Sequence, residues 1–298
     1  MCEFDSHPRH NNNYYFQQNS TEAGTRIDMF DSIITIGSFQ LRTLSVFQVI
    51  AFLSCAFIVW YRAREENYSE AKVFDGFLLS FLVGWLMGRL GHIFLAWDKF
   101  GWEILKWLNV VQYPGTQLLI GLVGATLYFF FYSKKQKWDA FEVLDWWAQA
   151  LTMGLVFTNI GYFFAGTRFG SVTTLPWGVI FPGVFEKRHP IQLYYLLFHV
   201  LMYKLLNWLE YHYRTFEWYR SGKKTAQTGF VFASFVISYA LFSFLNSFLQ
   251  DSVFLIGETS LDGLIHISLL SLGLFILIYR SNRVLFSFKE MKFFVIKK

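Results

Sequence analysis

Charge is scarce in this chain. Only 16% of its 298 residues are Asp, Glu, Lys or Arg, against about 25% in a soluble globular protein. Cysteine is scarcer still. Two residues rule out a disulfide framework or a cysteine-rich metal module. A formal net charge of +5 is too mild to suggest a nucleic-acid-binding surface, so no nucleic-acid partner is expected. HExxH, GxSxG, a P-loop and Cys-x-x-Cys are all missing from the sequence. These absences set aside the common soluble hydrolases, nucleotide enzymes and thiol-redox proteins.

What fills the chain is apolar. Hydrophobic residues make up 54%, with 36 Phe, 16 Tyr and 11 Trp. Seven stretches are long enough for a hydrocarbon core of about 30 Å: approximately 43–61, 74–97, 116–133, 140–165, 190–209, 228–250 and 263–280. The fourth is long and ends in glycine-rich sequence, which predicts a bend or an early exit from the membrane. The expected fold is an all-α polytopic membrane protein with about seven transmembrane helices. No repeat at a fixed period is visible.

Lysine and arginine placement gives the orientation. With the N-terminus outside, sixteen of the 26 basic residues fall on the cytoplasmic side and eight outside, leaving Arg89 and Lys204 within spans. The C-terminus is then cytoplasmic. The reading divides the chain into a polar, disordered tail (1–26), a seven-helix membrane domain (27–280) and a basic cytoplasmic tail (281–298). The first tail lacks the charged-then-apolar order of a cleavable signal peptide. Residues 27–42 read as an interfacial or strand-like lead-in, and 166–189, mixing Gly, Pro, Thr and Trp, as a structured outer loop.

Several polar residues stand out against this background. Arg89, flanked by Gly88 and Gly91, is costly inside a membrane. It either snorkels from the last turns of its helix or faces a cavity and holds a lipid phosphate. His92 lies three residues on and shares its face. His92, His199 and His266 are intramembrane histidines with no repeated spacing and no haem-binding motif; neutral core histidines are the plain reading. His189-Pro190-Ile191-Gln192-Leu193-Tyr194 opens the fifth span, with proline suited to a helix start. A helix N-terminus with Lys187 and Arg188 before it suits an anion. Gly161, Gly166 and Gly170 permit close backbone approach near the end of the fourth span. Tyr239 and Asn246 share a face of the sixth span, as do Ser243 and Ser247, and read as polar helix glue. No carboxylate lies mid-membrane in spans two to six, where a proton-coupled transporter would often carry one.

Taken in order, these pieces resemble the bacterial prolipoprotein diacylglyceryl transferases from about residue 30 to 280. GRLGHIFLAWDKF is similar to the family's GxRxGY-type stretch. NIGYFFAGTRFG stands where the family has GRxGNFxNxExxG. LPWGVIFP at 175–182 matches the stretch before the family's HPxQLYE, and HPIQLYY at 189–195 matches that motif. The resemblance implies a helical bundle around a lipid-accessible cavity in the bacterial cytoplasmic (inner) membrane. It also implies transfer of diacylglyceryl from phosphatidylglycerol to the lipobox cysteine of a preprolipoprotein, with no cofactor. His189 and Tyr239 are then assigned to the chemistry. Arg89, Asn159, Gly161, Arg168, Gly170, Gln192 and Tyr194 are assigned to substrate contacts.

Departures from the pattern fall on the chemistry. The arginine of GRxGN aligns with Asn159, the histidine of HGG with Leu119, the arginine of YGxxR with Ser243, and the glutamate of HPxQLYE with Tyr195. Two phosphate-holding arginines are worth roughly 3–6 kcal/mol together at about 1.5–3 kcal/mol per charged hydrogen bond. Arg89, Arg168 and Arg188 are the residues that could offset the loss. The alternative is a non-catalytic relative that binds phospholipid or lipoprotein precursor.

Overall fold

A computed structural model describes residues 32–36, 39–110, 112–113, 115–213, 227–250, 255–256 and 259–281. Both tails of the sequence reading, 1–26 and all but the first residue of 281–298, lie outside the described residues. So do 214–226, 251–254 and 257–258.

Seven long helices occupy the seven apolar stretches: α1 (Thr43–Glu65), α2 (Glu70–Leu95), α5 (Leu118–Lys135), α6 (Ala140–Phe164), α7 (Ile191–Tyr213), α8 (Phe230–Ser247) and α9 (Leu261–Ser281). Two short helices, α3 (Trp97–Phe100) and α4 (Ile104–Leu108), lie between α2 and α5. The strand-like lead-in is a hairpin of β1 (Ser32–Ile36) and β2 (Phe39–Arg42). A second small hairpin, β3 (Leu255–Ile256) with β4 (Thr259–Ser260), precedes α9. By length and composition α1, α2, α8 and α9 are apolar enough to cross a membrane. The chain is thus a helical membrane protein. Apolar side chains such as Phe57, Phe81, Phe131, Leu197 and Phe275 face outward, as lipid contact requires.

α6 forms the middle of the bundle, packing against α1, α5, α7 and α8. Val143, Trp146, Ala148 and Ala150 on it are fully buried. Asp139 caps its start, accepting from the amides of Phe141 (3.0 Å) and Glu142 (3.4 Å). α6 runs as one continuous helix from Ala140 to Phe164, through Gly154 and Gly161. Asp145, completely buried, caps a different helix. It accepts from Gly229 N (2.8 Å) and Phe232 N (2.7 Å) at the positive end of α8. Its charge is therefore satisfied inside the bundle, where an unpaired one would be very costly.

Close backbone approach joins α2 and α5. A Cβ on Gly84 would lie 2.9 Å from the Gly121 carbonyl, and one on Gly121 only 2.8 Å from the Gly84 carbonyl. Small residues drive helix packing where lipid tails offer no hydrophobic gradient. At one end of the bundle Arg62 links three helices. It donates to Gln149 Oε1 (2.9 Å) and Asn207 Oδ1 (3.2 Å), lies 3.3 Å from Glu210, and Gln149 in turn donates to Glu210.

Candidate functional site

The segment 165–190 is ordered by backbone pairing, as expected of a structured loop. Gly170 N donates to His189 O (2.8 Å), His189 N to Ser171 O (3.1 Å) and Thr173 N to Lys187 O (2.9 Å). Val179 and Arg188 exchange both bonds, at 3.0 and 2.9 Å. Phe181 is buried beneath this turn and stacks on Phe169 at 5.0 Å. The loop thereby presents the start of α7 to the end of α6.

Five of the sequence-assigned residues belong to this collar. His189 is 9% exposed, and its Nδ1 lies 3.2 Å from the Tyr194 hydroxyl, which accepts from Trp177 Nε1 at 2.9 Å. Trp177 itself is more than half exposed, so the Trp177–Tyr194–His189 chain runs from the surface inward. Gln192 is 1% exposed and donates to Thr167 O at 2.5 Å. Gly170 leaves no room for a side chain: a Cβ would meet Leu249 O at 2.4 Å and His189 Cβ at 2.9 Å. Arg168 is exposed and held at φ 62°, a left-handed conformation uncommon for a side-chain-bearing residue. Its guanidinium lies 4.7 Å over the Tyr162 ring, and its charge acts on the hydroxyls of Tyr195 and Tyr239.

Beneath the collar is a second polar group, contributed by one face each of α6, α7 and α8. Asn159 donates to Leu155 O (2.7 Å) and sits 3.5 Å from His199 Nδ1. The His199 ring lies 6.0 Å from those of Tyr195 and Tyr239. Ser243, fully buried, stands against the hydroxyls of both tyrosines. Of this group the sequence reading assigned Asn159 and Tyr239 only. His199 was read as a core histidine. The missed signal was spacing: Gln192, Tyr195 and His199 follow an i, i+3, i+7 pattern, which puts them on one helical face.

The remaining two assigned residues lie elsewhere. Gly161 faces α1, where a Cβ would come within 2.8 Å of Phe47 Cβ. Arg89 is 5% exposed and aims at the 97–117 loop. Its Nε donates to Trp107 O (3.1 Å), Nη1 to Tyr113 O (2.7 Å) and Gly115 O (3.0 Å), and Nη2 to Lys106 O (3.3 Å). Phe100 lies under the guanidinium at 5.2 Å. Four of five N–H groups are thus spent on backbone carbonyls, which leaves one for an anion. His92 covers the same loop, with its ring against Gly115 and 5.8 Å from Phe100.

Comparison with known proteins gives this geometry a context. A family model described as prolipoprotein diacylglyceryl transferase matches residues 31–279. The phosphatidylglycerol–prolipoprotein diacylglyceryl transferase of Mannheimia succiniciproducens is 30% identical over 228 residues, covering 74% of this chain and 80% of the relative. Its namesake from Acinetobacter baumannii is 26% identical over 271 residues, covering 87% and 95%. That from Vibrio parahaemolyticus is 26% identical over 266 residues, covering 86% and 93%.

Proposed function

The chain belongs to the prolipoprotein diacylglyceryl transferase family, and from that premise we propose that it moves diacylglyceryl from phosphatidylglycerol to the lipobox cysteine of a preprolipoprotein. The observation that carries this reading is the collar. The HPIQLY segment, the GTRFG turn and the exposed Trp177 are hydrogen-bonded into one ordered surface at one end of the helices. The proposed setting is the bacterial cytoplasmic membrane, crossed seven times with the N-terminus outside and the C-terminus inside.

In this reaction the thiol gives up its proton, since thiolate is the nucleophile. Sulfur then bonds to the diacylglycerol carbon that bears the phosphate. The carbon–oxygen bond breaks, and glycerol phosphate leaves with the electron pair. A cation near the departing phosphate lowers the barrier by stabilising charge as it develops. Arg168 fits that role: it is exposed and fixed by the turn that Gln192 grips. His189, with its Tyr194 partner, is the base or orienting group beside it. Arg89 contributes by holding the 97–117 loop, with one N–H in reserve for the headgroup.

The test uses purified protein in phosphatidylglycerol vesicles with a fluorescent lipobox peptide. The expected product is the diacylglyceryl thioether, with one glycerol phosphate released per peptide. Binding of phosphatidylglycerol without any thioether would overturn the transferase reading in favour of a lipid-binding relative.

A further inference from the structure

The second polar group is buried, neutral and incompletely satisfied. His199 is 1% exposed, and its Nδ1 lies 2.6 Å from the backbone oxygen of Tyr195. A carbonyl only accepts, so Nδ1 carries the proton and Nε2 carries a lone pair. That Nε2 is buried without a hydrogen-bond partner. The Ser243 hydroxyl, 0% exposed, lies within hydrogen-bonding reach of the phenols of Tyr195 and Tyr239 in the same cluster. Buried polar atoms are nearly always paired, so the open His199 Nε2 beside this hydroxyl needs an explanation. Asn159 cannot close the gap at Nε2, because its amide is directed to Leu155 O and to the Nδ1 side of the ring.

The location is informative as well. The three positions where the helices depart from the family's charged motif residues, Asn159, Tyr195 and Ser243, are brought together around His199. Two arginines and a glutamate in the motif are replaced here by uncharged groups. Such a set suits a neutral hydrogen-bond donor better than a phosphate. A site built for a donor rejects an analogue lacking it, since its own polar atoms are then left unpaired.

We propose that His199 Nε2 and the Ser243 hydroxyl form a subsite between α6, α7 and α8 that receives a neutral X–H group of a substrate. This rests on the transferase reading for the substrates' identity. Two sources share the chemistry: the thiol of the acceptor cysteine and a free hydroxyl of the glycerol headgroup.

The experiment measures binding separately from transfer, with the full-length protein in phosphatidylcholine vesicles. One arm compares a lipobox peptide with the same peptide carrying Ala for Cys. The other compares phosphatidylglycerol with phosphatidylethanol, whose headgroup has no free hydroxyl. The wild type is expected to prefer the donor-bearing ligand in one arm by about tenfold, the scale of one unpaired buried group. The arm that shows the preference names the source. His199→Phe should erase it, and His199→Gln, which restores an acceptor, should retain most of it. Unfolding midpoints in detergent identify folded variants, and Ser243→Ala, expected to weaken the preference, decides the matter if His199→Phe does not fold. Equal binding in both arms by the wild type, or undiminished preference in folded His199→Phe or Ser243→Ala, would overturn the subsite. Preference here, with no thioether formed in the separate assay of lipobox peptide with phosphatidylglycerol vesicles, would instead sink the transferase reading and leave the subsite standing.

Discussion

Gln192 and Thr167 are joined by a 2.5 Å hydrogen bond from the side-chain amide to the backbone carbonyl, and it ties the first turn of α7 to the turn that carries Arg168. Gln192 is almost wholly buried, so its amide has no water to fall back on. Gln192→Leu removes the donor and leaves the Thr167 carbonyl unpaired. The expected cost is about 1–3 kcal/mol, felt mainly in the 166–170 turn. Hydrogen exchange at those amides should accelerate, and thioether formation should fall roughly tenfold. Unchanged exchange at 166–170 would show that the bond does not hold the turn.

Gly170 tests the same collar through space rather than bonding. An added methyl would sit 2.4 Å from the Leu249 carbonyl, with Ile191 Cγ1 and His189 Cβ also inside 3 Å. The backbone of three segments must shift, so Gly170→Ala should cost about 1–3 kcal/mol, in the range of overpacked cores. Gly183 makes the comparison. Nothing lies within 4 Å of a Cβ there, and only its φ of +80° opposes a side chain. Gly183→Ala should cost about 1–2 kcal/mol. Detergent-phase thermal unfolding should therefore rank Gly170→Ala below Gly183→Ala, and the reverse order would refute the packing argument.

Arg89 was expected to hold a lipid phosphate, and its geometry gives it a competing task. Four N–H groups reach the carbonyls of Lys106, Trp107, Tyr113 and Gly115. Lysine keeps the charge but offers three donors from one point instead of a planar fork. Arg89→Lys should therefore free the 97–117 loop, seen as limited proteolysis around α3 and α4, with phosphatidylglycerol affinity changed less than threefold. A protected loop combined with a large loss of lipid affinity would return Arg89 to the phosphate.

These cases show what the sequence made legible. Long apolar runs mark all seven long helices, because helical hydrogen bonding is local and lipid-facing surfaces are uniformly apolar. Observed ends differ where polar turns continue beyond the apolar run: α1 extends past residue 61 to Glu65, and α2 begins at Glu70 rather than 74. The HPIQLY motif located the collar. The partners of Arg89 and His199 were not legible for one shared reason. They are backbone carbonyls, of 106–115 and of Tyr195, and no residue type in the sequence announces a carbonyl that tertiary structure will deliver. The convergence of Asn159, Tyr195 and Ser243 is likewise invisible until α6, α7 and α8 are side by side.

Tyr68, in the turn between α1 and α2, gives a pH prediction that needs no substrate. Its hydroxyl donates to Glu142 at 2.5 Å, and its ring packs edge-on against Trp138 and Trp146. Burial first, and then the Glu142 carboxylate, push the phenol well above its ordinary value of 10. In the unfolded chain the phenol ionises near pH 10, whereas in the folded protein it keeps its proton to higher pH. The bond's contribution is therefore fully present below about pH 10 and is lost as pH rises beyond it, because only the unfolded state releases its proton there. Tyr68→Phe removes this proton along with the hydrogen bond. The variant should be less stable than the wild type at pH 8, with the gap narrowing steadily as pH rises above about 10. A gap that stays constant across that alkaline range would mean that the Tyr68 proton is not what fastens the turn to Glu142.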